Sequence, residues 1–223
     1  MLAPSLEVPI PDRAAAGRAL AALLAEREGP QTLVLALPRG GVPVAYEIAE
    51  GLGCPLDLML VRKLGVPGHG ELAMGAIASG GVRILNDNVL RSLDIGEMAV
   101  QTVEARESQE LARRERVYRG DRAIPNLRDK RVILVDDGIA TGATMRAAVQ
   151  AVRKLGAAHV TVAAPLGAPD TLSVLRQEAD DVVCPFSPDP LWAIGRWYRD
   201  FSQTSDEEVM DLLHRAWKRP GLT

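Results

Sequence analysis

Residues Arg131–Met145 have the sequence RVILVDDGIATGATM, which indicates the fold more clearly than any other segment. Its apolar run is typical of a buried strand, and the run ends at two consecutive acids, Asp136 and Asp137. A glycine- and threonine-containing loop follows and opens a helical pattern. Ligands of parallel α/β sheets bind at the carboxyl ends of the strands, so this turn is predicted to be a binding loop.

The loop after the acids has the chemistry of an anion site. Backbone N–H groups at the start of a helix lack intrahelical partners and carry partial positive charge, and Thr141 and Thr144 add hydroxyl donors. The motifs G-x-x-x-x-G-K-[ST] and G-x-G-x-x-G are both absent, which removes the main support for a nucleoside triphosphate or NAD site. Carboxylates accept hydrogen bonds from hydroxyls or hold hydrated Mg²⁺. A sugar phosphate would satisfy both features, with its phosphate in the loop and its vicinal hydroxyls on Asp136 and Asp137.

A second stretch, TLVLALPRGGVPVAYEIAEGLG from Thr32 to Gly53, repeats the order of strand, glycine loop and helix. Two binding turns would then lie on one sheet, with Arg39 in the first and the threonines in the second. The simpler alternative is that these glycines only permit tight turns.

The remaining sequence alternates strand and helix patterns, which predicts one α/β domain over residues 1–223 with a mostly parallel central sheet flanked by helices. Glycine and proline between about 64 and 80 predict a flexible loop. Within that region LAMGAIAS, together with GVRIL after it, is typical of a hairpin. A strongly charged helical segment, about 92–118, is predicted to lie on the surface or at a partner interface.

Composition excludes several classes of function. The net charge of −3 provides no basic surplus for a phosphate backbone, so nucleic acid is not an expected partner. The two cysteines, Cys54 and Cys184, stand in apolar surroundings without a metal-ligand spacing and are predicted to be buried, reduced thiols. Neither a signal sequence nor a membrane-spanning run is present, which predicts a cytoplasmic protein with no membrane partner.

The motif VILVDDGIATGAT resembles the phosphoribosyl-pyrophosphate (PRPP) motif of the type I phosphoribosyltransferases. A receiver domain also carries acids after a strand, but it begins its fold with them, and too few residues follow Asp137 to complete one. The resemblance implies the phosphoribosyltransferase fold with a C-terminal hood, PRPP as substrate, Mg²⁺ as cofactor and a homodimer. The PRPP-binding residues that it implies are Gly40, Gly41, Gly138, Ile139, Ala140, Thr141, Gly142, Ala143 and Thr144.

Two further segments extend the resemblance. LPRGG, Leu37–Gly41, is similar to the family's pyrophosphate loop, in which Arg39 would add positive charge. VRKLGVPG is similar to the strand end and catalytic loop of the adenine enzymes, although Arg62 and Lys63 could also be an ordinary solvated pair. Whether His69 or Glu71 acts in catalysis stays open. The catalytic residues implied are Arg39, Arg62, Lys63, Asp136 and Asp137.

The segment DPLWAIGRWYRDF resembles the hood of the hypoxanthine-guanine enzymes and is placed at about 185–204. The likeness assigns base stacking to Trp192 and assigns Asp200, with one extra residue in the spacing, to the metal and pyrophosphate. The implied metal ligands are therefore Asp136, Asp137 and Asp200. The alternative for Trp192, Trp197 and Phe201 is packing within the hood.

One departure from the family's pattern leaves the acceptor base unidentified. Hypoxanthine-guanine enzymes carry an acid in the phosphate loop where this sequence has Ala140, and the adenine and uracil enzymes tolerate alanine there. The expected activity is transfer of the phosphoribosyl group to a nitrogenous, purine-like acceptor in nucleotide salvage, with release of pyrophosphate. The alternative is a regulatory protein that senses PRPP without turning it over.

Overall fold

The computed structural model describes residues 6–25 and 31–219, apart from the side chains of residues 70 and 71. A five-stranded parallel sheet lies at the centre, and a three-stranded antiparallel sheet stands beside it. The strands are β1 Thr32–Ala36, β2 Leu56–Leu58, β3 Val61–Val66, β4 His69–Ala78, β5 Val82–Leu85, β6 Arg131–Val135, β7 His159–Ala163 and β8 Asp181–Val183. The helices are α1 Arg13–Leu24, α2 Gly41–Leu52, α3 Asp87–Ser92, α4 Glu97–Arg119, α5 Ala143–Lys154, α6 Pro169–Glu178 and α7 Asp206–Trp217.

The parallel sheet has the strand order β2-β1-β6-β7-β8. From β1 the chain moves outward to β2, and from β6 it moves the other way to β7 and β8. The strand order therefore reverses between β1 and β6, which pair in register from Thr32 with Arg131 to Ala36 with Val135. Binding crevices of open α/β sheets form where the strand order reverses.

Both faces of the parallel sheet are covered, as its apolar strands require. On β1, Val34 and Ala36 belong to a core with α1, α2, α4 and α7, while Leu33 and Leu35 belong to a second core with α5 and α6. This alternation follows from the two-residue period of a strand. The prediction of a mostly parallel sheet flanked by helices is confirmed.

Residues 55–63, PLDLMLVRK, have an apolar pattern that predicts one strand, but the structure divides them between the two sheets. Its first half is β2 of the parallel sheet, and from Val61 the chain enters β3 of the antiparallel sheet. Arg62 and Lys63 therefore lie within β3 and not at the end of a parallel strand.

The prediction of a loop over about 64–80 was wrong in its secondary structure, because β3 and β4 pair along most of it. Two of its glycines are required by the antiparallel sheet. A Cβ on Gly75 would lie 2.3 Å from the carbonyl oxygen of Ile84 on β5, so only glycine fits there. Gly68, at the hairpin turn, has a left-handed φ of +79°. Leu64, Val66 and Met74 anchor the hairpin in the core. The hairpin predicted for LAMGAIAS and GVRIL is present as β4 and β5.

The charged segment predicted at about 92–118 forms α4, preceded by the separate short helix α3. It contacts β3, β4 and α7, and buries Val100, Leu111 and Tyr118, so one face belongs to the core. One charged residue of α4 forms a buried ion pair: Arg119 is buried, and its Nε lies 2.8 Å from Oδ1 of Asp57 on β2. The helix is thus an integral layer of the fold.

Candidate active site at the carboxyl end of the parallel sheet

The PRPP motif forms a loop between β6 and α5. Asp136 and Asp137 follow the last residue of β6, and α5 begins at Ala143 after Gly142, whose φ of +69° is left-handed. Among the residues that the structure describes, no side chain caps this end of α5, and Thr141 and Thr144 are exposed. The first-turn N–H groups and two hydroxyls are therefore available to an anion.

The neighbouring β7–α6 connection holds this phosphate loop in place. The N–H of Ile139 donates to the carbonyl of Leu166 at 2.9 Å, and Thr171 Oγ1 donates to the carbonyl of Ala140 at 2.7 Å. A Cβ on Gly142 would lie 2.3 Å from Cγ2 of Thr171, so the loop and the first turn of α6 are in close contact. Thr171 is a contributor that the motif itself does not reveal.

The predicted pyrophosphate loop, residues 37–41, lies directly beside the acids. It includes a cis peptide bond between Pro38 and Arg39. A Cβ on Gly40 would lie 1.9 Å from Oδ2 of Asp137, and one on Gly41 would lie 2.5 Å from the carbonyl oxygen of Val135. The two glycine loops therefore meet over the β1–β6 pair, which is the crevice expected from the strand order.

The two acids have different surroundings. Crowding by protein atoms desolvates Asp136 and raises its pKa well above the usual range, and the charge of Asp137 raises it further. Asp137 instead has a cationic partner, because Arg13 Nε donates to its Oδ2 at 2.8 Å. Tyr198 Oη donates to the backbone carbonyl of Asp137 at 2.7 Å. Sequence reasoning missed Arg13 and Tyr198, which lie 124 and 61 positions from Asp137 and belong to no motif.

Arg39 points toward the start of α7. Its Nη1 lies 3.7 Å from Oδ1 of Asp206, the same oxygen that accepts a hydrogen bond from Tyr118 Oη at 2.7 Å. Burial and the Asp206 carboxylate together raise the pKa of Tyr118 to about 12, so this phenol stays a donor near neutral pH. The pyrophosphate loop is in this way connected to both α4 and α7.

Arg62 and Lys63 are consecutive on β3, and consecutive strand residues face opposite sides. Arg62 faces α4, where its Nε and Nη2 donate to Oε2 of the buried Glu107 at 2.9 and 2.5 Å. Lys63 faces a cleft of about 600 Å³ that Ala143 and Thr144 of the phosphate loop also line. The structure therefore brings Lys63 toward the phosphate loop and places Arg62 in an ion pair with α4. Glu107 is a further residue that the sequence pattern did not mark.

The two residues left open by the sequence are both in the β3–β4 hairpin. His69 is exposed at the first position of β4, beside the turn. The side chain of Glu71 lies outside the described part of the chain.

The hood packs on the phosphate loop. A Cβ on Gly138 would lie 2.6 Å from Cγ2 of Ile194, which is in a short 3-10 turn, Ile194–Trp197. Trp192 is 73% exposed, whereas Trp197 packs edge-on against Phe186 with ring centroids 5.0 Å apart. Packing within the hood thus accounts for Trp197 and leaves the indole of Trp192 facing solvent.

Asp200, the third predicted metal ligand, is exposed and accepts a hydrogen bond from the N–H of Ser202 at 2.9 Å, which lowers the pKa of its carboxyl. Among the described residues no group of three or more His, Cys, Asp or Glu side chains is placed to hold a metal ion. Asp136, Asp137 and Asp200 therefore do not form a ready-made three-carboxylate site.

Comparison with known proteins identifies the family. The sequence matches the phosphoribosyl transferase domain family over residues 9–195, and the chain belongs to that family. A Mycobacterium tuberculosis protein provisionally named a phosphoribosyl transferase, from strains CDC 1551/Oshkosh and H37Rv, is 50% identical over 206 residues. The match covers 92% of this chain and 46% of the relative, so the chain spans about half the length of those curated relatives.

A solved structure is also similar. The crystal structure of TT1426 from Thermus thermophilus has 40% sequence identity and a TM-score of 0.84, covering 92% of this chain and 97% of that chain. The prediction of the type I phosphoribosyltransferase family is confirmed. Within residues 6–25 and 31–219, no helix is both long enough and apolar enough to cross a membrane.

Proposed function

We propose that this protein is a Mg²⁺-dependent phosphoribosyltransferase that transfers the phosphoribosyl group of PRPP to a nitrogenous acceptor. The observation that carries the proposal is the contact between Gly40 and Asp137, which joins a pyrophosphate-type loop to the acids of a phosphate loop. A ligand that spans the two loops needs a sugar between two phosphate groups. PRPP has that order of groups.

Each part of the site has a role in this reaction. The N–H groups at the start of α5, with Thr141 and Thr144, bind the 5′-phosphate, and Asp136 and Asp137 accept hydrogen bonds from the ribose hydroxyls. The pyrophosphate loop binds the leaving group, and Arg39 adds positive charge to that loop. The bond between C1 and the pyrophosphate oxygen breaks with its electron pair leaving on pyrophosphate. The acceptor nitrogen bonds to C1 and releases its proton to solvent. Catalysis comes from alignment and from donors that offset the leaving charge.

The donor set fits a magnesium ion that is shared with the substrate. Mg²⁺ in proteins keeps several waters and is usually held by one or two carboxylates together with substrate phosphates. Asp136 and Asp137 supply such carboxylates next to the pyrophosphate loop, and the lack of a three-carboxylate cluster in the described chain agrees with this mode. The ion would supply positive charge for the departing pyrophosphate. Asp200 stays a predicted contributor.

The acceptor proposed is a planar, purine-like base. The exposed indole of Trp192 offers a stacking face in the hood, close in sequence to Ile194, which touches the phosphate loop. Stacking of a base on an aromatic side chain contributes about 1–3 kcal/mol. The enzyme, as proposed, is a homodimer. It acts in the cytoplasm and has a role in nucleotide salvage.

The deciding experiment measures pyrophosphate release when the protein is incubated with PRPP, Mg²⁺ and a panel of purines, pyrimidines and other amines. One or more acceptors should give turnover that is lost on omitting Mg²⁺. The double variant Asp136→Asn with Asp137→Asn, checked for folding by circular dichroism, is the matched control and should be inactive. PRPP binding without pyrophosphate release across the panel would contradict the enzyme and favour a PRPP-sensing regulator.

A further inference from the structure

We propose that Arg13, the first residue of α1, is a positioning residue that orients Asp137 for the ribose of PRPP. The inference rests on the proposed function and adds to it a residue outside the matched motifs. Three independent contacts of one guanidinium carry it.

The Arg13 guanidinium is fixed on three sides. Nε donates to Oδ2 of Asp137 at 2.8 Å, Nη1 donates to the carbonyl of Ser202 at 2.7 Å, and Cζ lies 4.0 Å from the ring centroid of Phe201. The Arg13 and Asp137 side chains are only 12% and 14% exposed, so water competes weakly for this ion pair. Charge-assisted hydrogen bonds of this kind are the strong ones.

The backbone around Arg13 is also built into the hood. Asp12 caps α1 by accepting from the N–H of Ala15 at 2.6 Å, which sets where the helix begins. Just before it, the N–H of Ile10 donates to the carbonyl of Trp197, and the N–H of Arg199 donates back to the carbonyl of Ile10, both at 2.7 Å. The entry to α1 and the hood therefore form one hydrogen-bonded unit, and Arg13 connects that unit to the acid.

This arrangement fixes one side of the Asp137 carboxylate. Oδ2 is held between Arg13 and the Cα of Gly40, so the carboxylate cannot turn without breaking the ion pair or pushing the pyrophosphate loop away. A carboxylate accepts several hydrogen bonds, and Asp137 can bind Arg13 and a ribose hydroxyl together. The cation also offsets the negative charge of Asp137 at a site that must admit an anionic substrate.

Lysine cannot reproduce the three contacts. Guanidinium presents several donors in a planar fork and stacks on an aromatic face, whereas ammonium is a compact charge on a flexible stem. A lysine at this position can keep the charge near Asp137 but cannot also reach Ser202 and lie flat on Phe201. The two properties, charge and geometry, can therefore be separated by mutation.

The test measures calorimetric affinities of the wild-type protein, Arg13→Gln, Arg13→Lys and Arg18→Gln for PRPP, ribose 5-phosphate and pyrophosphate, all with Mg²⁺. Arg18 is the matched control, because it lies on the same helix with its side chain 60% exposed and contacts Glu47 at 3.4 Å. Arg13→Gln should weaken PRPP and ribose 5-phosphate at least about tenfold, because an Asp137 carboxylate that is no longer oriented loses its charge-assisted hydrogen bond to the ribose hydroxyl. Its affinity for pyrophosphate, which has no ribose hydroxyl to bind Asp137, should fall by a clearly smaller factor than its affinity for PRPP. The affinities of Arg13→Lys should lie between those of Arg13→Gln and the wild type. Those of Arg18→Gln should equal the wild type.

Two outcomes would overturn the positioning role, and a third would overturn the proposed function. Equal loss of all three ligands in Arg13→Gln, with a lowered melting temperature, would overturn the positioning role in favour of a purely structural one. Unchanged PRPP affinity in Arg13→Gln would overturn it as well. Failure of the wild-type protein to bind PRPP would overturn the proposed function itself, and that result is distinguishable because it does not depend on any variant.

Discussion

The Cα of Gly40 lies so close to Asp137 that a Cβ at this position would stand 1.9 Å from Oδ2 of the carboxylate. The backbone of Gly40 has φ −60° and ψ −31°, a conformation that any residue adopts. Space, and not backbone freedom, therefore requires glycine here. The contact makes the position of the pyrophosphate loop depend on the position of the acid.

Gly40→Ala should weaken PRPP binding at least about tenfold, or about 1.4 kcal/mol, because the new methyl group must displace either the loop or the carboxylate. Calorimetry with PRPP and Mg²⁺ measures the loss. Gly96→Ala is the control, since a Cβ there meets nothing within 4 Å and its φ of −73° suits alanine. Equal affinities in the two variants would show that the loops are not coupled in this way.

Losing either hydroxyl of the phosphate loop should weaken PRPP binding. Thr141→Ala and Thr144→Ala each remove a hydroxyl that is proposed to donate a charge-assisted hydrogen bond to the 5′-phosphate, and losing such a bond costs about 1.5–3 kcal/mol. Thr141→Ser and Thr144→Ser keep the hydroxyl and should retain most of the affinity in the same calorimetric measurement. Unchanged affinity in both alanine variants would place the phosphate elsewhere.

Glu107→Gln should destabilise the protein by about 1.5–3 kcal/mol, because the buried carboxylate binds Arg62 and also lies 3.0 Å from Nη2 of Arg106. Urea denaturation followed by circular dichroism measures the free energy of unfolding. Glu110→Gln on the same helix is the control: its carboxylate is paired with Arg113 and Arg114 at the surface and should contribute little. Equal midpoints for the two variants would show that the Arg62 pair does not anchor the hairpin to α4.

Trp192→Leu should raise the apparent KM for the base and spare the affinity for PRPP, because in the proposed reaction the base approaches C1 from the face opposite the leaving pyrophosphate. Loss of stacking on the indole is worth about 1–3 kcal/mol. Steady-state kinetics with the acceptor found in the panel, together with PRPP calorimetry, separate the two effects. Val174→Ala, at another exposed apolar site, is the control. A changed PRPP affinity with an unchanged KM for the base would contradict the stacking assignment.

The thiol of Cys184 should react slowly with iodoacetamide at pH 8. Burial raises its pKa to about 12, so the nucleophilic thiolate is scarce until the pH approaches that value. The experiment uses Cys54→Ala, which leaves Cys184 as the single cysteine, and follows labelling by mass spectrometry. The same variant unfolded in urea should label rapidly. Equal rates in the folded and unfolded states would contradict the raised pKa.

Local sequence patterns are sufficient to predict the parallel sheet and the glycine- and threonine-containing loop between β6 and α5. Both depend on neighbouring residues: an apolar run, two acids, and a glycine and threonines at the start of a helix lie within Arg131–Met145. Hydrophobic periodicity and the unpaired donors of a helix end are local properties, so a linear pattern carries them. The β3–β4 hairpin was wrongly predicted as a loop for the same reason, because glycines within a short stretch of sequence are typical of loops. That Gly75 permits close packing of β4 against β5 is visible only in the folded structure.

Folding, and no pattern along the chain, brings distant partners to the predicted site residues. Arg13 reaches Asp137 across 124 positions, and Glu107 meets Arg62 across 45. A salt bridge between remote residues depends on how helices pack against the sheet, and no spacing rule along the chain encodes that geometry. Folding also separated Arg62 from Lys63, because adjacent strand residues face opposite sides: one pairs with α4 and the other lines the cleft beside Thr144.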